Sequence, residues 1–266
     1  MLPPQRHAVI LALIREHGGV RVSDLARELG VSDMTVRRDL EVLAERGALA
    51  KIHGGATAVA DEATTHEPGF VVKQARERRE KRAIATVAAA QVAPGMAVVL
   101  SAGTTTFALA QQLTRVPGLT VVTNSLRIAE VLYEGDGEDQ TVVLTGGIRT
   151  PSDALVGPVA LAALRDLHVD VAFMGVHGMA PGAGFTCPNL MEAETDRALI
   201  ASARRLVVVA DHTKWGVVGL CSIAGLDDAE VLISDDGLEP AARTLLEQEV
   251  GQLVLAPTGT THQETA

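Results

Sequence analysis

The segment from Val20 to Gly55, VRVSDLARELGVSDMTVRRDLEVLAERGALAKIHGG, leaves the chain fewer options than any other. Val22, Leu25, Ala26 and Leu29 recur at helical spacing. Gly30 stands where a left-handed residue ends a helix. Val31 suits a core position between two helices. Ser32 is a good N-cap, and Asp33 puts a carboxylate in the first turn of the next helix. That second helix is expected from about Asp33 to Arg46, with Val36, Leu40 and Leu43 on its buried stripe. Its opposite face carries Met34, Arg38, Glu41 and Glu45, flanked by Thr35 and Arg37. Gly47 ends it, Ala48 to Ile52 predict a short strand, and Gly54-Gly55 a turn.

Such a helix suits the DNA major groove. A guanidinium fork can take guanine O6 and N7 together, and Thr can meet a thymine methyl or a phosphate. In a helix-turn-helix the base contacts come from the start of the second helix. The strand and turn after it form a wing, with Lys51 and His53 placed for backbone or minor groove. Ser32, Met34, Thr35, Arg37, Arg38, Lys51 and His53 are therefore the expected DNA-binding residues. A helical hairpin with a solvated Arg face is the plain alternative, but cap, break, stripe, Arg pair and wing occur in one run. The run Val31-Ser32-x-x-Thr35-Val36-Arg37-Arg38-Asp39-Leu40, with Leu43, Gly47 and His53-Gly54-Gly55-Ala56, resembles the N-terminal domain of the DeoR family of bacterial transcriptional regulators.

Charge is divided unevenly. Residues 1–57 hold 8 Lys/Arg against 7 Asp/Glu, a balance of +1, and residues 58–266 hold 15 against 26, or −11, which together give the net −10. A chain this acidic is no general polyanion binder, so DNA contact must be local to the N-terminal face. Aromatic residues are only 2% of the chain, so its cores must be built from Val, Leu, Ile and Ala. Cys187 and Cys221 are the two cysteines, too few for a disulfide framework. No signal peptide is evident, and no apolar run approaches the roughly 18 residues of a membrane span. A cytoplasmic protein with reduced thiols is expected.

Residues 5–17 predict an opening helix with Val9, Ile10, Leu13 and Ile14 on its buried stripe. Residues 1–57 are thus expected to be a winged helix-turn-helix domain. Residues 58–82 read as a linker and connecting helix, with Val71 to Arg82 as one basic helical stretch. From residue 83 short apolar runs alternate with helical stretches. The runs are Ala97–Leu100, Leu119–Val122, Thr141–Leu144, Val171–Gly175, Leu206–Ala210, Val231–Ser234 and Leu253–Leu255. Strands apolar on both faces and separated by helices predict a parallel α/β sheet covered on both sides. This second domain is expected over 83–256, followed by a disordered tail at 257–266.

Ligands of such sheets bind beyond the carboxyl ends of the strands. The segments that follow the first five runs are Ser101-Ala102-Gly103-Thr104-Thr105-Thr106, Thr123-Asn124-Ser125, Thr145-Gly146-Gly147 with Arg149, the Gly-rich stretch from Gly175-Val176-His177-Gly178 to Thr186, and Asp211-His212-Thr213-Lys214. Backbone N–H groups, hydroxyls and helix starts at one edge describe a pocket for a small phosphorylated, polyhydroxylated ligand. Lys81, or Lys73, could reach it from the connecting helix. No Walker A or G-x-G-x-x-G spacing occurs, so no nucleotide cofactor is expected. His177 and His212 share the edge but lack paired ligands at metal spacing, so no metal is expected.

Ala102-Gly103-Thr104-Thr105-Thr106, Thr123-Asn124-Ser125-Leu126, Leu144-Thr145-Gly146-Gly147, Glu192 or Glu194, and Ala210-Asp211-His212-Thr213-Lys214 resemble the DeoR-family sensor domain. With the N-terminal match the resemblance covers about residues 5–237. It implies a Rossmann-like fold similar to ribose-5-phosphate isomerase, a sugar-phosphate effector, and repression. The effector residues would be Gly103, Thr104, Thr105, Thr106, Thr123, Asn124, Ser125, Gly146, Gly147, Glu192, Asp211, Lys214 and Lys81. Many members carry Asp where Ser101 stands, so the resemblance does not name the sugar. A single winged helix contacts few phosphates, so a homo-oligomer on double-stranded operator DNA is expected. The competing reading is a sugar-phosphate isomerase or deaminase carrying a DNA-binding module, with Glu192, Glu194, Asp211 and Lys214 as acid, base and cation.

Overall fold

The computed structural model describes residues 3–17, 19–45, 48–52, 54–57, 69–135, 137 and 139–259. The chain divides into two compact units, 1–72 and 73–266.

The first unit contains α1 (Pro3–His17), β1 (Gly19–Arg21), α2 (Val22–Leu29), α3 (Asp33–Glu45), β2 (Ala50–Ile52) and β3 (Gly55–Thr57). Ile10, Ile14, Val22, Leu25, Val36, Leu40, Leu43 and Leu49 form its core, so the helical stripes point inward as their spacing requires. Gly30 takes the left-handed conformation (φ 64°) and its N–H donates to the Ala26 carbonyl, closing α2. The strands form an antiparallel sheet in the order β1-β3-β2. Two local expectations change. Val20 and Arg21, which the sequence suggests only as part of a lead-in (Val20-Arg21-Val22) to the helix-turn-helix, belong with Gly19 to a strand paired with β3. Gly54 makes the turn (φ 80°), whereas Gly55 lies within β3, where a Cβ would stand 2.2 Å from the Val20 carbonyl oxygen. Close approach of two strands, not turning, therefore requires Gly55.

The second unit begins within α4 (Phe70–Ala75), followed by α5 (Arg78–Ala89). Then come β4 (Ala97–Leu100), α6 (Thr104–Leu113), β5 (Thr120–Thr123), α7 (Leu126–Tyr133), β6 (Thr141–Leu144), β7 (Ile148–Arg149), β8 (Leu155–Val156) and α8 (Pro158–Leu164). The chain continues through β9 (Val171–Gly175), β10 (Gly178–Ala180), β11 (Gly184–Cys187), α9 (Leu190–Ala201), β12 (Leu206–Val209) and a single 3-10 turn, His212–Lys214. It ends with β13 (Cys221–Ala224), β14 (Val231–Asp235), α10 (Pro240–Glu249) and β15 (Leu253–Ala256).

All seven expected strands join one sheet, β15-β14-β12-β9-β4-β5-β6, with every neighbouring pair parallel. Successive strand residues feed two separate cores. Val99, Ala172, Met174, Val208 and Leu232 face one side, and Val98, Leu100, Phe173, Val207 and Ile233 the other. Burial on both faces explains the unbroken apolar runs. β6 departs from this rule because it is an edge strand, and its Thr141 and Leu144 are exposed.

Two further expectations are corrected. The Gly-rich stretch 178–186 is not a loop but the hairpin β10–β11, extended by β13 into a second, antiparallel sheet. A Cβ on Gly178 would lie 2.1 Å from the Val217 carbonyl oxygen, and one on Gly184 2.2 Å from that of Ala224. These glycines admit a neighbouring backbone. Val71 to Arg82 is not one helix either, since Glu77 adopts a left-handed conformation (φ 47°) that separates α4 from α5. Residues 58–68 of the expected linker and connecting helix (58–82) and residues 260–266 of the expected tail lie outside the described residues. Thr258, in the same expected tail, donates from its hydroxyl to Asp236 Oδ1 at 2.6 Å.

In the first unit Arg6 donates twice to Asp39, at 2.5 and 2.9 Å, and His7 Nε2 lies 3.0 Å from the same carboxylate. Burial pushes the Asp39 carboxyl up, but the bonds from Arg6 and His7 outweigh it and hold it below the usual range. A depressed folded value means stability that is present above the ordinary carboxylate pKa of about 3.9 and lost as pH falls below it. Asp39→Asn should lower the melting temperature near neutral pH and flatten its fall below about pH 4. Thermal melts of both proteins across that range check this.

Candidate functional site

The exposed side of α3 is assembled by its own N-terminus. Ser32 Oγ accepts the Thr35 N–H at 3.2 Å and shares a 2.9 Å bond with the Thr35 hydroxyl. Ser32 is thus the helix cap, and its hydroxyl is engaged in that role. Val36 and Leu40 anchor the inner face. Met34 (76% exposed), Arg37 and Arg38 stand outward, with Thr35 half-buried beside them. A large apolar side chain and two guanidinium groups therefore share one solvent-facing surface. The same helix is held from behind by the Arg6–Asp39 pair, which joins α1 to α3. His53 and the side chain of Lys51 lie outside the described residues.

In the second unit the order of strands reverses between β4 and β9, since β5 and β6 lie on one side and β12, β14 and β15 on the other. Connections leave this point in opposite directions, so a crevice opens at the carboxyl ends. Ser101, the residue after β4, bridges it: its hydroxyl accepts the Gly175 N–H of β9 at 3.0 Å. Gly103 then opens α6 and brings no side chain to cap it. Thr104, Thr105 and Thr106 form the first turn and are buried, and Thr106 donates its hydroxyl to the Gly103 carbonyl at 3.1 Å. The starts of α5, α8 and α10 likewise have no side-chain cap, whereas two others do. Ser125 caps α7 by accepting the Ile128 N–H, and Asn189 caps α9 by accepting those of Met191 and Glu192.

Thr123, Asn124 and Ser125 are all buried with internal partners. Thr123 donates to the Leu100 carbonyl at 2.7 Å and accepts the Ser125 N–H. Asn124 Oδ1 accepts the Ala102 N–H at 2.8 Å, while its amide donates to the Leu155 carbonyl. These groups hold the loop after β4 against β5 and β8. Gly146 and Gly147 have positive φ, and a Cβ on Gly147 would lie 2.5 Å from the Val156 carbonyl oxygen. The β7–β8 pairing alone therefore requires glycine there. Arg149 is engaged by Asp153, which also takes Arg127 Nε at 3.1 Å.

On the far side of the reversal, Asp211 follows β12 and opens the 3-10 turn. Its Oδ1 accepts the Thr213 N–H and hydroxyl, but its buried Oδ2 has no hydrogen-bond partner among the described residues. Lys81, from α5, is buried and donates to the carbonyls of Lys73 and Arg76 at 2.8 and 2.7 Å. Burial lowers its pKa to about 8, with Asp211 pulling it up and Lys214 pushing it down. So Lys81, Asp211 and Lys214 share one electrostatic neighbourhood, while Asp211 forms its turn with Thr213. His212 is turned aside, its ring 2.8 Å from Asp235 Oδ2. Glu192 and Glu194 part company: Glu192 is buried and takes the Ser152 hydroxyl and, at 4.0 Å, the Cys187 thiol, whereas Glu194 is exposed.

Residues 6–62 match the model of the DeoR-like helix-turn-helix domain, and residues 76–236 that of the DeoR C-terminal sensor domain. The chain belongs to the DeoR family. It is 37% identical to the uncharacterized HTH-type transcriptional regulator YgbI of Escherichia coli, over 96% of this chain and 98% of that one. It is 35% identical to the HTH-type transcriptional regulator GlpR of Haloferax volcanii, over 93% and 95%. These relatives are named as transcriptional regulators and not as enzymes, which sets aside the isomerase reading. Among solved structures, ribose 5 phosphate isomerase A from Neisseria gonorrhoeae matches at a TM-score of 0.38 and 16% identity, over 53% of this chain and 54% of that one.

In this DeoR-family chain the residues that sequence reasoning missed are the ones that position others. Ser152 holds Glu192, and Asp153, itself left-handed (φ 64°), gathers Arg127 and Arg149. Only the run Ser152-Asp153 before β8 could have signalled a turn with capping side chains.

The Lys81 ammonium gives a pH signature. Below about pH 8 it is charged in folded and unfolded chains alike. Between there and the ordinary lysine pKa of about 10.4 the unfolded chain binds more protons, so stability gains with pH in that window. Lys81→Met should lack this gain. Denaturant midpoints of both proteins at about pH 7.5 and about pH 10 would test it, and parallel pH profiles would exclude the assignment.

Proposed function

We propose that this regulator represses carbohydrate-metabolism genes and is released from its operator by a phosphorylated sugar. The observation that carries the reading is Asp211: a buried carboxylate oxygen without a donor, beside the cations Lys81 and Lys214, at the strand-order reversal. A buried acceptor left unpaired is costly, and a sugar hydroxyl would supply the missing donor. The α6 start, opened by Gly103 and Thr104, offers backbone N–H groups and a positive helix end for the phosphate. Asp211 and α6 follow strands two spacings apart, roughly 10 Å, a reach that suits one small sugar phosphate. Gly146 and Gly147 follow β6 at the same carboxyl edge, and Glu192 stands in the first turn of α9. Thr123, Asn124 and Ser125 act by fixing the walls.

On the DNA side, Arg37, Arg38, Met34 and Thr35 read the major groove from the exposed face of α3, and Ser32 keeps the start of that helix in place. Lys51 and His53 of the wing meet the backbone. One such face makes few phosphate contacts, so the working form is a homo-oligomer on paired half-sites. Lys81 is the link between pocket and connector. Its ammonium is held by carbonyls of α4 and of the break that follows, and an anionic ligand would compete for it. The ligand can shift the regulator only through different affinities for its two arrangements.

Thermal melts across a panel of phosphorylated sugars test the pocket. A ligand present at about 100 times its Kd adds about 2.7 kcal/mol, and Thr104→Ala and Lys214→Ala should each abolish that shift. A panel without any shift would overturn the sugar-phosphate reading. For the DNA face, Arg38→Ala should cost roughly 1–3 kcal/mol of operator binding with relaxed sequence preference. Uniform weakening with a salt slope reduced by about one would instead make Arg38 a phosphate contact.

A further inference from the structure

The chain has two cysteines, and the structure sets them face to face. β11 and β13 run antiparallel, with Cys187 and Cys221 as direct partners in the register. A β-bulge creates this pairing. Phe185 opposes Ala224, but Thr186 opposes Ser222, so the register slips by one residue. Without the slip Ser222 would stand opposite Cys187. Residues directly opposed in a sheet project from the same face. Both cysteines accordingly pack against the same core, with Cys187 buried and Cys221 half-exposed. Directly opposed residues of antiparallel strands have Cα atoms about 4.5 or about 5.5 Å apart, depending on the type of pair. Both values fall within the roughly 4.4–6.8 Å that a disulfide spans.

We propose that Cys187 and Cys221 are a reversible disulfide site, oxidised by low-molecular-weight disulfides. Cys221 is the accessible thiol and reacts first. Its thiolate attacks one sulfur of the small disulfide, whose S–S bond breaks. One small thiolate leaves and takes up the proton that Cys221 released. The Cys187 sulfur, losing its proton, then attacks Cys221 in the mixed disulfide and expels the second small thiol. Two protein thiols lose two electrons in all, and one small disulfide becomes two thiols. The second step needs no solvent access to Cys187, because its attacker and target are already neighbours.

The bond acts on the wall of the candidate pocket. In the reduced protein the Cys187 thiol faces the Asn189 carbonyl at 3.5 Å and Glu192 Oε2 at 4.0 Å, beside the cap of α9. Oxidation removes that S–H donor. This consequence rests on Glu192 being a pocket residue, whereas formation of the bond does not.

The test therefore uses no effector. Reduced full-length protein is incubated with oxidised glutathione, quenched with iodoacetamide under denaturing conditions, and weighed intact. The expected product is a monomeric chain two hydrogens lighter than the reduced protein, without alkylation. Proteolysis should yield a joined Cys187–Cys221 peptide, and dithiothreitol should restore both thiols. Cys187→Ser should stop at a stable glutathione adduct on Cys221, which shows that Cys187 resolves the first step. The proposal fails if the wild type also ends as a glutathione adduct, if it forms cross-linked chains on a non-reducing gel, or if both thiols still alkylate after the incubation.

Discussion

Two hydrogen bonds at Ser101, its N–H to the Phe173 carbonyl at 3.2 Å and the Gly175 N–H to its hydroxyl at 3.0 Å, close the point from which the second unit grows in two directions. β4 and β9 are neighbours in space but are separated in the chain by two strand–helix excursions to one side of the sheet. Their connections diverge beyond their carboxyl ends. The crevice is a consequence of topology. Ser101 limits how far it opens, and Asn124 ties the adjoining Ala102 to β5 and β8. An acid at position 101 could face a ligand only by giving up this backbone bond or by sharing it. Here the side chain is buried and serves the scaffold.

Once the scaffold is closed, the distribution of satisfied polar groups becomes informative. Buried polar atoms are nearly always hydrogen-bonded. Along the carboxyl edge most obey: Thr123, Asn124, Ser125, Ser152 and Glu192 all have partners within the chain. Asp211 Oδ2 does not, and α6 starts without a side-chain cap. Among the described residues, an unpaired acceptor and a helix start without a side-chain cap therefore stand on opposite sides of the reversal. A ligand with hydroxyls at one end and an anion at the other is complementary to that pair. A ligand with only one of these features leaves half of the edge unsatisfied.

The parallel sheet was legible because burial on both faces writes itself as continuous Val, Leu and Ile, and all seven strands fall where those runs stand. The first unit was legible because Ser32, Gly30 and the stripe of Val36, Leu40 and Leu43 each have a local cause. The antiparallel sheet was hidden for an equally physical reason. Gly178 and Gly184 look like loop residues in sequence, yet they sit where another backbone passes too close for any Cβ. Which polar residues face the pocket and which support it was not legible either. Asn124 and Asp211 are both small polar residues after a strand. Only the partners that long-range packing brings, Ala102 and Leu155 to one and none to an oxygen of the other, separate their roles.

The break between α4 and α5 shows the same separation acting on a charged residue. A run of six basic and two acidic residues, Val71 to Arg82, has every local reason to continue as one helix. Glu77 instead takes a conformation that an L-residue with a side chain adopts at a cost. At the turn the Lys73 carbonyl accepts the Arg76 N–H, and Lys81, one turn into α5, donates from a buried position to that carbonyl and to the one of Arg76. Burial then makes its charge expensive and brings its pKa near 8, where the field of Asp211 and Lys214 matters. The break between α4 and α5 is therefore bridged by a buried cation that also feels Asp211 and Lys214. A solvated lysine on an unbroken helix would have neither these carbonyls nor this burial, so the turn at Glu77 is what gives Lys81 its surroundings.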